Sequence, residues 1–176
     1  MKFGAVPLAQ AEGAILAHSV KAGGVALRKG QTLGAADIEA LKAAGRSDVT
    51  VAILAADDLG ENQAAEVIGA AGLAAGIIAS KPHAGRVNLL AEHAGVLAVN
   101  ASAVNAVNAI DPAITLATLP FFSRVRKGQL LATIKIIPYA VAARAADLAA
   151  AKISGAFKLH GVAKTNVSLV MSTVKG

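Results

Sequence analysis

At 176 residues the chain has room for one domain or two small ones, and with 55% hydrophobic but only 3% aromatic residues its core must be built from small aliphatic side chains. A formal charge of +6 favours anionic partners, although the cations are dispersed rather than gathered into a stripe. Cysteine is absent, which excludes disulfides, thiolate metal sites and cysteine nucleophiles together and makes the cytoplasm the expected compartment.

In chain order, "AILAHSV" (14–20) and "VALRKGQTL" (25–33) read as strands, separated by the turn signal Lys21-Ala22-Gly23-Gly24. "GAADIEALKAAG" follows as an amphipathic helix, with Ile38, Leu41 and Ala44 on one face, Asp37 in the first turn and Gly45 as the stop. "DVTVAIL" is the next strand. The stretch "DDLGENQAAEVIGAAGLAAGII" is expected to link this unit to the next as a helix, with Glu61, Asn62 and Gln63 in its first turn.

The same order then recurs. "RVNLLAE" and "GVLAV" read as strands around His93-Ala94-Gly95. "NASAVNAVNAI" is a helix capped by Asn100, and "ITLATL" is a strand. At an offset of 66, Leu33, Ile38, Ala40 and Leu41 fall on Val99, Val104, Ala106 and Val107. At an offset of 98, "RKGQTL" matches "RKGQLL", each Lys-Gly marking a tight β-turn. The expected architecture is therefore α+β: two small β-rich lobes, read as duplicated ββαβ units over 14–54 and 85–137, with "QLLATIKII" closing the second. "PYAVAARAADLAAAK" reads as a helix opening on Pro138. Residues 153–176 are expected to be a linker followed by the strand "VSLVMSTV".

Several of these phrases, "AEGAILAHSV", "LRKGQTLGAADIEALKAAG", "GRVNLLAEHAGVLAVN" and above all "ITLATLPFFSRVRKGQLLATIKIIPYAV", resemble in order the N-terminal region of bacterial molybdopterin-binding proteins. That region is similar to the front half of the molybdopterin molybdenumtransferases and is often fused to a molybdenum cofactor nucleotidyltransferase. The resemblance covers residues 1–152. It implies an accessory module in molybdenum cofactor biosynthesis that shapes one wall of a pterin cleft or a dimer interface. "VSLVMSTV" then resembles the opening strand of the molybdopterin-binding domain. Molybdopterin and Mg²⁺ would belong to the full-length protein, with no cofactor expected on residues 1–176 alone, and a homo-oligomer is expected. No complete catalytic centre is recognisable, so enzymatic activity stays open.

The residues themselves offer few alternatives. His18, His83, His93 and His160 form no pair at ligand spacing, and no metal site is expected. Ser19 and His18 are strand neighbours that point to opposite faces, so they make no dyad. Asp57, Asp58 and Glu61 have the chemistry for Mg²⁺, but acids at a helix start are accounted for by the dipole. Arg28-Lys29-Gly30 and Arg126-Lys127-Gly128 are read as solvated turns with the option of gripping phosphate. Arg86 and Asn88, two apart on one strand, share a face and suit an oxyanion, since guanidinium is forked and permanently charged. His93 at the following turn and Lys135, a cation within a run of isoleucine, complete the candidate set for an anionic pterin or nucleotide. The alternatives are an interaction module without a ligand or a basic nucleic-acid-binding domain. The second is disfavoured by the lack of aromatic platforms. No apolar run approaches the ~20 residues of a membrane span, so no membrane partner is expected, and the N-terminus lacks a signal-peptide core.

Overall fold

Two separate clusters of buried aliphatic side chains divide the chain into two lobes in this computed structural model, which describes residues 1–22, 24–163, 165–166 and 168–170. The first lobe comprises β1 (Lys2–Pro7), a 3₁₀ turn (Leu8–Gln10), β2 (Ile15–Leu16), β3 (Val20–Ala22), β4 (Val25–Leu27), α1 (Ala35–Ala43) and β5 (Asp48–Ile53). β5 lies between β1 and β2, all antiparallel, and β3 and β4 form a separate hairpin. Leu16, Leu33, Leu41 and Val51 are its fully buried centre. Asp37 accepts a bond from the Gly34 N–H (3.0 Å) at the start of α1, and Gly45 ends the helix at φ +78°.

The second lobe contains β6 (Asp58–Gly60), α2 (Glu61–Ala71), β7 (Ile77–Ala79), β8 (Arg86–Ala91), β9 (Gly95–Val99), α3 (Ala101–Asn108), β10 (Ile114–Thr118), β11 (Ser123–Val125), β12 (Leu130–Ile136), β13 (Ala140–Ala142), α4 (Ala143–Ile153) and β14 (Phe157–Gly161). Its main sheet runs β10-β12-β8-β7, and a second sheet runs β11-β9-β14, every pairing antiparallel. Strand alternation puts Val87, Leu89, Ile134 and Ile136 on the inner face, where α2 covers them and α4 packs in turn on α2. The α+β class and the two-lobe organisation read from the sequence are those of the structure.

The internal repeat is real in its local parts. In both RKGQ turns the Gln N–H donates to the Arg carbonyl at 3.1 Å, the Gln side chain accepts from the Arg N–H, and the glycine sits at positive φ (Gly30 +83°, Gly128 +77°). Helices occur at both expected places, α3 with the Asn100 side chain accepting from the Ala103 N–H (3.2 Å). Strand partnering differs, however: β5 lies between β1 and β2, whereas β10 is an edge strand paired with β12, which separates it from β8. Several stretches depart from the sequence reading: of 25–33 only Val25–Leu27 is a strand, and within 57–78 the helix is confined to Glu61–Ala71, between β6 and β7. Residues 140–142 are a strand paired with β6, because Ala140 and Val141 are buried there, and the helix expected from Pro138 starts at Ala143. Residues 157–161, expected as linker, add β14 to β9, anchored by the fully buried Phe157. The expected strand "VSLVMSTV" lies largely outside the described residues.

Close helix–sheet approach replaces bulky packing. A Cβ on Gly69 would stand 2.6 Å from Val87 Cγ1, so α2 lies directly on β8. Gly69→Ala gains ~1 kcal/mol in helix propensity but overpacks by ~1–3 kcal/mol, so a net loss is expected by urea unfolding. Adding Val87→Ala to Gly69→Ala should recover part of the overpacking term, visible as non-additivity of at least about 0.5 kcal/mol in the double-mutant cycle.

At the junction of the lobes the Met1 ammonium is 2.7 Å from Asp58, whose carboxylate also accepts from the Ala55 N–H at 2.8 Å. The ammonium, then the amide, holds the Asp58 carboxyl below its ordinary value. A depressed carboxyl contributes stability that is present above the unfolded value, near 4, and lost as pH falls through the folded one. Asp58→Asn should therefore lower the urea midpoint at pH 7, and the gap from wild type should close as the pH falls below about 4.

Candidate functional site

The segment His83–Arg86 builds one wall of the principal cleft. Ala84 (φ +47°) and Gly85 (φ +67°) occupy the centre of a two-residue turn with both residues left-handed, and His83 and Arg86 exchange N–H···O bonds of 3.0 Å. Three groups pin this turn to its surroundings. The Gly85 N–H donates to Asn62 Oδ1 (2.8 Å) in the first turn of α2, its carbonyl accepts from the Ile136 N–H (2.8 Å), and the Lys135 ammonium donates to the Ala84 carbonyl. Glu61 lies 4.0 Å from Lys135 Nζ.

The other wall comes from the first lobe, where the RKGQ turn presents Lys29 and Gly30. Between them is a cleft of about 300 Å³, floored by Pro138 and Tyr139, and a second depression adjoins it past Asn62 and Gln63. Tyr139 ties the lobes together: its hydroxyl donates to the Ala17 carbonyl at 2.8 Å, and its ring lies near-parallel to Phe3 at 6.3 Å. Lys29 Nζ is 5.7 Å from the same ring, within cation–π range. Two ammonium groups against one carboxylate leave the lining with a net positive charge.

The sequence candidates are partly assembled here. Lys135 and Arg86 are directly opposed across β8–β12, and Asn88 faces Thr133, so all three share the outward face of the main sheet. Only Lys135 lines the cleft. Asn88 is engaged locally, its Oδ1 accepting from the Thr133 hydroxyl at 2.9 Å and its N–H donating to Ser80 Oγ at 3.0 Å. His93 lies at the other end of β8, about 20 Å from Arg86 by strand rise, with Nδ1 at 3.0 Å from the Ala94 carbonyl and its ring over Gly76. The acids Asp58 and Glu61 diverge, one toward Met1 and the other toward Lys135, and Asp58 belongs to β6 rather than to the helix. Among the described residues no three of His, Asp and Glu are placed to hold a metal ion.

Two participants were missed in the sequence. Tyr139 is the single tyrosine of the chain, next to Pro138. The Ala84-Gly85 turn carried only its glycine as a signal, and its role as a wall depends on neighbours from α2 and β12.

A family described as a domain of unknown function (DUF8806) matches residues 5–53, the span from β1 to the end of β5. No curated protein and no solved structure matches the chain. No helix among the described residues is long and apolar enough to cross a membrane.

Gly85 tests the rigidity of the wall. A Cβ there would meet Glu61 Oε2 and the Ile136 carbonyl at 2.8 Å each, in addition to the cost of positive φ, whereas at Gly30 it would meet open space. Gly85→Ala should cost about 2 kcal/mol or more and Gly30→Ala about 1 kcal/mol, read as the difference in urea midpoints.

Proposed function

We propose that this chain is the N-terminal accessory module of a molybdenum cofactor biosynthesis protein of the molybdopterin-binding kind, and that its interlobe cleft receives an anionic group of a pterin or nucleotide. The observation that supports this reading is the convergence of Lys29 from one lobe and Lys135 from the other on a single cleft with one opposing carboxylate, Glu61. The cleft volume is at the small end of ligand pockets, enough for a phosphate and part of a ring rather than a whole cofactor. One wall from this module and another from a further domain or a second copy fits that size. Molybdopterin and Mg²⁺ remain ligands of the full-length protein in this reading.

Within the site, Lys29 is the free hand. It is exposed, and its ammonium lies 5.7 Å from the Tyr139 ring. Lys135 has a structural share, since it holds the Ala84 carbonyl, so its loss would confuse binding with folding. Arg86 adds long-range attraction from the sheet face beside Lys135, Asn88 links β8 to β12 through Thr133, and His93 supports its own turn.

A second reading, an interaction module without a ligand, is favoured by the partial satisfaction of Lys135 by Ala84 and Glu61. Titration calorimetry with a nucleoside monophosphate as surrogate, at two salt concentrations, separates the two. Lys29→Ala should weaken binding about tenfold, the value of one charge-assisted contact, and Arg86→Ala less than about threefold because its charge acts through solvent. Equal affinity in wild type and Lys29→Ala, or a larger loss in Arg86→Ala, would refute the cleft assignment.

A further inference from the structure

The turn Pro120-Phe121-Phe122-Ser123 places the third residue at φ +63°, a position that in both RKGQ turns is glycine. The Ser123 N–H donates to the Pro120 carbonyl at 3.2 Å and the Ser123 hydroxyl to the same oxygen at 2.7 Å, so the turn is closed and the phenyl is held outward. A phenylalanine in the left-handed region is strained, and glycine would have relieved that strain. The two rings, 4.0 Å apart, are 55% and 68% exposed, although the chain has only four phenylalanines and buries Phe157 completely. Strain and exposure together put a paired apolar wedge at the surface where folding does not require one.

The wedge borders a cationic sheet face. Register places Arg124 and His160 on either side of Val96, and Lys158 beside Ala98, all three side chains exposed over a small apolar centre. Between residues 94 and 163 the only acids are Asp111 and Asp147, and neither lies in β9, β11, β14 or the Phe turn. An apolar depression of about 230 Å³ continues from Phe121 past Val99, Val104 and Leu119 with no charged lining.

We propose that the Phe121–Phe122 wedge and the Arg124, Lys158 and His160 face dock on an anionic lipid surface. Charge complementarity selects the occupant: a second copy would bring like charges together, whereas an anionic bilayer offers headgroups to the cations and hydrocarbon to the rings. Because the rings pack on each other, they form one apolar wedge rather than separate platforms for successive nucleic-acid bases. This is peripheral contact, distinct from a span, and it is independent of the interlobe cleft.

The test is flotation of the whole chain with vesicles of phosphatidylcholine alone and of phosphatidylcholine mixed equally with phosphatidylglycerol. Wild type should float with the anionic vesicles, less so as salt rises, and remain behind with the neutral ones. Phe122→Gly relieves positive φ, so its melting temperature should equal or exceed that of wild type while vesicle binding falls at least about tenfold. Arg124→Ala combined with Lys158→Ala should lower binding to the anionic vesicles alone. Absence of binding by wild type, equal binding to both vesicle types, or unchanged binding by Phe122→Gly would overturn the proposal.

Discussion

The contact on which the second lobe depends is the direct seating of α2 on β8, Gly69 against Val87. An Ala- and Gly-rich helix with Ala64, Ala65 and Ile68 fully buried comes closer to a sheet than one carrying large side chains. That closeness explains how a core with so few aromatic residues reaches adequate density. It also aims the helix: once Gly69 lies on Val87, the first turn of α2 arrives beneath the start of β8, and Asn62 and Glu61 meet the Ala84-Gly85 turn and Lys135. A Cβ at Gly72 would likewise meet Leu89 and Ile153, so the far end of the helix is held between β8 and α4.

From this follows the division of labour in the cleft. The second-lobe wall is rigid, because a left-handed turn is bonded to a helix start, a strand carbonyl network and a lysine at once. The first-lobe wall is the RKGQ turn, where the Lys29 N–H donates to Ser19 Oγ at 3.0 Å and its ammonium lies 5.7 Å from the Tyr139 ring. Tyr139 and the Met1–Asp58 pair join the lobes through a few polar contacts, while each hydrophobic core remains closed on itself. The cleft thus lies between two separately packed cores, with one wall bonded at several points and Lys29 presented from the other.

The duplicated phrases have a similar lesson. RKGQ encodes a closed turn wherever it occurs, since the Gln side chain, the glycine φ and the i to i+3 bond are all local. The helices after Gly34 and Asn100 are local in the same sense, set by a cap and by apolar spacing. The sheets are not: β5 pairs with β1 and β2, whereas β10 pairs with β12 and β9 takes β11 and β14 as partners, so similar local units end in different sheets. The match of a domain of unknown function to residues 5–53 coincides with the first lobe, the part whose pairing is closed within itself.

What the sequence by itself determined were the features carried by short-range physics: the α+β class, both RKGQ turns, the helices α1, α2 and α3, and the alternation that exposes Arg86 while burying Val87 and Leu89. It also singled out Lys135, an ammonium among isoleucines, and Arg86, its neighbour across the strands. Tertiary structure decided the rest. Residues 140–142 became a strand and 157–161 joined β9 because buried edges needed partners, a requirement that no local propensity encodes. Lys29 was brought to the same cleft as Lys135, and His93 was separated from Arg86, by distances that depend on how two lobes and one long strand are placed. Composition and periodicity act over a few residues, whereas a cleft is made of side chains more than a hundred positions apart, as Lys29 and Tyr139 are, and only the packed chain brings them together.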